Sequence, residues 1–271
     1  FNETTTAGLT HTFTIVGTPS SPFVRSYLWQ SSTDTGTSWI NISVGSGFTT
    51  ASYTTPVLET TTSGSCYQYR VVVTDSSGGT SLIDTSTGVY LIINARITIT
   101  GSYTVMKYGN AHTDTFTVSA NTGTGSKTIR RTSTAKPNIT WDTSTANIAR
   151  VTVAANLAAG TYFDTLTVTD QESATVSLGV TITVLKADTV TVVVADRNDT
   201  YTASSLSYLD TYTVSGLLAS DTLTMTGYLY SGTANDGTIF NLAGRPAISG
   251  SYAIVPNYSS SPVSNYESIT V

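Results

Sequence analysis

The sequence is short of charge, thiols and imidazoles, and each shortage closes off a class of function. Asp, Glu, Lys and Arg make up only 11% of its 271 residues, against a usual level of about 25%, so solubility must come from uncharged polar groups. Four Lys and eight Arg are scattered along a chain of net charge −5 and pI near 4.8. No basic stripe is available to neutralise phosphates, which sets nucleic acid aside as a partner. A single cysteine, Cys66, excludes an internal disulfide and is expected to be a buried small hydrophobe. The two histidines, His11 and His112, lack partners at metal-ligand spacing and are expected to be solvated strand ends. With no Gly-x-Ser-x-Gly elbow and no Cys–His arrangement, the chain is not expected to be an enzyme. The longest apolar run, Val89 to Ile93, is of strand length and far below the ~20 residues that span a bilayer. The first residue is Phe1, with no Met and no signal-peptide pattern, which fits a mature product or a piece of something longer.

What the sequence has in excess is Thr, at 55 residues, with 35 Ser beside it. The β-branch of Thr favours the pleated backbone while its hydroxyl faces water. No window shows sustained 3.6-residue apolar spacing with caps, so no long helix is expected and the fold class is all-β. Five Asn-x-Ser/Thr sequons occur, at Asn2, Asn41, Asn138, Asn198 and Asn257; a composition this rich in hydroxyls produces about four by chance, so they do not argue for glycosylation.

Two motifs recur. HTDTFTVSA around Phe116 returns as YLDTYTVSG around Tyr212, and its core also appears in HTFTIVG around Phe13. A Gly, one or two small residues and a Tyr open a strand at Tyr67, Tyr162 and Tyr252. Early and late strands so spaced suit opposite sheets of a sandwich. The repeats predict three tandem Ig-like β-sandwich domains, 1–94, 95–186 and 187–271, with Trp29 and the three motif tyrosines mostly buried. VYLIINARITITGSY and VTITVLKADTVTVVV join one domain to the next with two or three residues between strands, which predicts an elongated, stiff rod.

Trp29 and Tyr69 stand 40 residues apart, a spacing that resembles the strand C Trp and the Tyr-x-Cys motif of immunoglobulin domains. Tyr67 holds the tyrosine-corner position. Tyr69 and Phe13 stand where the disulfide cysteines would be, so apolar packing is expected to replace the bridge. SYLWQSS and CYQYRVVVTD resemble the Ig-like modules of large bacterial surface proteins. PNITWDTSTANIARVTV with AAGTYFDTLTVTD resembles the Ig/cadherin-like repeats of the same proteins, and YLDTYTVSG with SGSYAIVP and SNYESITV resembles MBG-type β repeats. These motifs imply a fold and a setting, not a chemistry.

STDTGTSW, Ser32 to Trp39, fits the Asp-box of sialidase propellers. In that family the box is a hairpin device, so Asp34 is expected to accept turn amides, Gly36 to be left-handed and Trp39 to pack beneath. The acids Asp170, Glu172, Asp188, Asp196 and Asp199 gather in sequence near the second junction, where the resemblance to cadherin arrays implies Ca²⁺ as a candidate; no other cofactor is expected. Alternation points Asp164 inward, where a carboxylate needs a partner: a turn amide, a Tyr hydroxyl, or a Lys such as Lys107 in an isopeptide cross-link. The resemblance to MBG-type repeats implies one further strand after Val271, so the third sandwich is expected to lack its last strand. Its open edge at Ser268, Ile269, Thr270 and Val271 would take a strand, either from a continuing polypeptide or from a neighbour's Phe1, Asn2, Glu3, Thr4, Thr5, Thr6 and Ala7.

Together these features predict a structural component of an extracellular bacterial cell-surface assembly, such as a fibre, pilus-like filament, lattice or adhesin stalk. Its partners would be copies of itself or neighbouring domains of a longer surface polypeptide. The alternative is an adhesive module whose loops recognise a glycan or host protein.

Overall fold

A computed structural model of the chain describes residues 2–59, 65–195, 212–218, 221–234, 239–243, 250–258 and 263–270. Apart from one 3₁₀ turn, Val263–Asn265, every regular element in it is a strand. The fold is all-β, and no helix among the described residues is long and apolar enough to cross a membrane. Among the described residues, no sheet mixes strands from different thirds of the chain.

The first unit holds β1 (Asn2–Thr6), β2 (Thr12–Thr14), β3 (Val24–Ser32), β4 (Ile40–Asn41), β5 (Ser52–Thr54), β6 (Ser65–Ser77), β7 (Thr80–Thr85) and β8 (Val89–Asn94). One sheet runs β1-β8-β6-β3-β4, with β7 added to β6, and faces the pair β2-β5. Between them Phe13, Trp29, Tyr53 and Tyr69 form an aromatic core. Phe13 and Tyr69 lie 4.8 Å apart and Trp29 and Tyr53 5.8 Å, ring centre to ring centre, within the range of favourable aromatic pairs. The two positions that carry the bridge in disulfide-bonded Ig domains are thus in direct ring contact. Alternation along β6 turns Tyr67 and Tyr69 towards this core, which leaves Cys66 exposed; the expectation of a buried thiol is corrected. Tyr67 is half-buried rather than buried.

The second unit holds β9 (Ile99–Thr100), β10 (Met106–Lys107), β11 (His112–Val118), β12 (Thr128–Arg131), β13 (Ile139–Asp142), β14 (Ile148–Val153), β15 (Gly160–Thr169) and β16 (Thr175–Leu185). Its sheets are β13-β14-β11-β9 and β10-β16-β15-β12, the ABED and A′GFC pattern of an Ig-like sandwich. Phe116, Val151, Leu166 and Ile182 are sealed between them. Tyr162 is half-buried and donates from its hydroxyl to the Ala158 carbonyl at 2.8 Å, four residues upstream, as a tyrosine corner does.

The third unit holds β17 (Val190–Val194), β18 (Tyr212–Ser215), β19 (Met225–Ala234), β20 (Ile239–Ala243), β21 (Gly250–Tyr258) and β22 (Ile269–Thr270), in sheets β18-β17-β22 and β20-β19-β21. Tyr252 lies in β21; its side chain is outside what the structure describes. The last strand pairs in parallel with β17, Ile269 opposite Val190. An early strand in parallel with the final one is a device used in every unit: β1 with β8, β10 with β16 and β17 with β22.

Candidate functional site

Two groups of side chains that combine charge, burial and long-range contact sit where one unit meets the next, and a third, around Asp164, lies inside the second unit. At the first, Thr5, Thr6 and Ala7 leave β1 buried. Asn94 Nδ2 donates to the Thr124 hydroxyl at 3.1 Å, and the Thr124 and Thr6 hydroxyls bond at 2.8 Å. The Thr6 hydroxyl then donates to Asp170 Oδ2 at 2.5 Å. Because the Thr6 proton goes to the carboxylate, Thr124 must supply the proton of the bond between the hydroxyls. Asp170 also accepts the backbone N–H of Thr124 at 2.8 Å, of Glu172 at 3.0 Å and of Ala174 at 2.9 Å. Four donors occupy the two oxygens, so this buried carboxylate is fully satisfied.

That arrangement corrects the grouping expected for the acidic residues. Asp170 lies just before β16 and faces the first unit, whereas Asp188 lies beyond the far end of that 11-residue strand and pairs with Lys107 Nζ at 2.6 Å. A strand of that length separates them by roughly 30 Å. Glu172 is exposed, and Asp196 and Asp199 lie outside the described residues. Among the described residues no group of His, Cys, Asp or Glu is arranged to hold a metal ion.

At the second junction the contact is apolar. Ala187, Val190 and Tyr266 are buried in the same cluster as Met106, Tyr108, Val184 and Leu157 of the second unit. Ala187 is clasped on both sides: its N–H donates to the Asn265 carbonyl at 2.8 Å and its carbonyl accepts from Glu267 at 2.9 Å. The rings of Tyr108 and Tyr266 meet edge to face at 5.9 Å, and both hydroxyls donate to Asp221, at 2.9 and 2.6 Å. Burial, and then the Asp221 carboxylate, push the Tyr266 phenol up to about 12.

Asp164 is buried, as alternation predicts; it accepts one backbone amide, that of Thr165 within β15 at 2.9 Å, and its side-chain partners are neither a Tyr hydroxyl nor a Lys. Arg131 Nε donates to Oδ1 at 3.0 Å, Arg131 Nη2 reaches Oδ2 at 2.9 Å, and Trp141 Nε1 donates to Oδ2 at 3.0 Å. Lys107 is engaged with Asp188 instead. Asp164 follows Tyr162 by two residues, so it holds the late-cysteine position of this unit and joins β15 to β13 of the opposite sheet. Sequence alone missed Arg131 and Trp141, since alternation says which way a side chain points and not whom it meets.

The Asp-box forms the β3–β4 connection. Asp34 Oδ1 accepts the Ser38 N–H at 2.9 Å and the Ser32 hydroxyl at 2.7 Å, and Oδ2 accepts the Ser38 hydroxyl at 2.6 Å. The Ser38 hydroxyl and amide, with Ser32, hold the Asp34 carboxyl down at about 2. Gly36 has φ +84°, and Trp39 lies under the guanidinium of Arg70 at 4.2 Å. The histidines are half-buried beside carboxylates, not solvated: His11 meets Glu3, and His112 Nε2 is 3.1 Å from Asp114. Of the expected interaction residues, Asn2 to Thr6 pair in parallel with Tyr90 to Asn94 within the chain, and Ile269 and Thr270 pair with β17. Phe1 and Val271 lie outside the described residues.

Residues 2–95 match the model of a domain of unknown function, DUF8696. No curated protein matches the chain. Among solved structures, a three-Ig fragment of titin, an E-to-A variant, aligns over 97% of this chain and 87% of its own at 11% identity and a TM-score of 0.38. A titin I-band fragment aligns over 70% of this chain and 68% of its own, with 14% identity and a TM-score of 0.36. The human desmocollin-1 ectodomain aligns over 68% of this chain but 35% of its own length, with 15% identity and a TM-score of 0.30. The Ig-like character itself follows from strand order and the parallel A′–G pairing.

Proposed function

We propose that this chain is a stiff structural segment of a bacterial extracellular assembly, a fibre, pilus-like filament, lattice or adhesin stalk at the cell surface, and not an enzyme. Its domains are taken as 1–94, 95–186 and 187–271. The observation that carries the reading is that both junctions are made of buried side chains, not tethers: Thr6, Thr124 and Asp170 at one and Tyr108, Asp221 and Tyr266 at the other. A joint whose polar groups are all satisfied internally resists bending, because any hinge motion leaves a buried carboxylate or hydroxyl without its partner. Stiff, weakly charged, hydroxyl-covered rods suit a scaffold that holds something away from a surface. Assembly would be with copies of itself or with adjoining domains of a longer polypeptide. Strand exchange, with Phe1 to Ala7 added to the edge of a neighbour's third unit, would require β1 to leave β8.

Small-angle X-ray scattering on the chain tests this. The expected profile is that of one extended rigid body, with an Asp170→Ala variant showing a broader distance distribution. Wild-type scattering that needs freely jointed units to fit it overturns the proposal. Deleting Phe1 to Ala7 tests the exchange route separately, because filaments that still form rule out that donor.

A further inference from the structure

The positive charge of the chain is concentrated in one stretch. Lys127, Arg130, Arg131, Lys136 and Arg150 lie between residues 127 and 150 with a single acid, Asp142, although the whole chain carries −5. Arg131 is committed to Asp164, and Lys136 Nζ donates to the Phe163 carbonyl at 2.5 Å. Lys127 touches only the Gly125 carbonyl, at 3.3 Å, and Arg130 has no partner among the described residues. These two uncommitted cations flank an open recess of about 420 Å³.

The fold explains why the recess is there. β12 is an edge strand, and its alternation sends Ile129 into the core and Thr128 and Arg130 outward. The other wall is the loop between β13 and β14, with Thr143, Ser144 and Asn147, so the recess lies beside the exposed edge strand β12. Asp142 is folded back onto its own turn, Oδ1 accepting the Ser144 amide at 2.9 Å and hydroxyl at 2.7 Å, and is not one of the walls.

We infer that this recess binds the acidic sugar units of an anionic polysaccharide, with Arg130 and Lys127 on the carboxylate or sulfate and the Ser, Thr and Asn side chains on ring hydroxyls. A recess of this volume falls in the range that holds small ligands. An unpaired guanidinium and ammonium match a planar carboxylate or a sulfate. The other anionic polymers fit less well. Two free cations on a net-acidic chain give nucleic acid too few phosphate contacts, and walls with no aromatic, whose one large apolar residue, Ile129, is buried in the core, offer an acidic peptide little but charge. The inference concerns one chain and does not rest on its assembling.

The test is binding of the full chain to dextran sulfate, polygalacturonate and neutral dextran, at low salt and at about 0.5 M NaCl. Retention by either charged polymer, absent on neutral dextran and weakened by salt, is expected. Which polyanion is retained identifies sulfate or carboxylate as the group bound. Arg130→Glu should weaken retention about tenfold and Lys127→Glu/Arg130→Glu abolish it, while Lys186→Glu, an exposed site with the same charge change, should keep it. Thermal melts unchanged from wild type show that the variants are folded. No binding to either polyanion, equal binding to neutral dextran, or equal loss in Lys186→Glu overturns the assignment.

Discussion

Asp164 illustrates what one residue does when a disulfide is absent. Its side chain is only 1% exposed and that of Arg131 15%, so the pair has left most of its hydration and depends on mutual contact. Replacing one partner leaves an uncompensated buried charge, so Asp164→Leu should cost about 3–5 kcal/mol in urea unfolding, and the double variant Asp164→Leu/Arg131→Met should recover most of that. A double variant no more stable than the single one would show that the ion pair is not the cause. Asp34 shows the exposed counterpart. Its folded pKa, near 2, lies below the ordinary carboxylate value of about 4. The stability it confers is therefore present above about pH 4 and lost as pH falls through 2. Asp34→Asn should flatten that part of the acid-unfolding curve, and carboxyl NMR should place the Asp34 midpoint near 2. The inward direction of Asp164 and the bonding of Asp34 were legible from alternation and from the Ser-x-Asp-x-Gly pattern. The fate of Cys66 was legible too, had alternation been carried one residue back from Tyr67 and set above the general tendency of thiols to be buried.

At the scale of elements, the repeated strands were readable because period-two alternation and a Gly-x-Tyr start survive in sequence. β6 and β15 occupy the same place, each between the last strand and the strand C equivalent of its unit, and Phe13 of β2 meets Tyr69 of β6 ring to ring. Truncation there removes the contact between sheets that replaces a covalent bridge. Phe13→Ala is expected to destabilise the first unit by about 3–5 kcal/mol and Phe13→Leu by clearly less, read from denaturant midpoints; equal losses would mean that ring contact adds nothing beyond volume. What no local pattern could disclose was the parallel pairing of first and last strands. Asn2 and Tyr90 are partners across nearly the whole unit, and a segment such as NETTT reads equally well as a free donor strand or as a closed edge.

For the molecule as a whole, the two junctions differ in kind, and their consequences differ accordingly. The first is a chain of hydrogen bonds ending on Asp170, between units whose apolar cores form separate clusters. At the second, the apolar core of the second unit extends onto the start and end of the third, with Tyr266 only 1% exposed in it, and Val192 and Leu223 centre a further cluster within the third unit. Short linkers were visible in the sequence; the depth of this burial was not, because Tyr266 comes from the last strand region and meets Tyr108 across 158 residues of chain. A shared core couples unfolding, so calorimetry should show the second and third units melting in one transition, with the first free to melt apart. Tyr266→Ala removes a ring from that core, at a cost of about 3–5 kcal/mol, and should split the joint transition in two. Tyr266→Phe isolates the hydroxyl. The native phenol is held near 12, above its ordinary value of about 10, so the folded junction favours the neutral form. Its contribution is complete below pH 10 and is lost as pH rises through 12. The coupled transition of the wild type should therefore weaken across that interval more steeply than that of Tyr266→Phe, since the other raised phenols, buried Tyr69 and half-buried Tyr103, titrate in both proteins. Identical alkaline profiles would show that Tyr266 and Asp221 do not hold the joint, and separate melting of the second and third units in the wild type would show that the core is not shared.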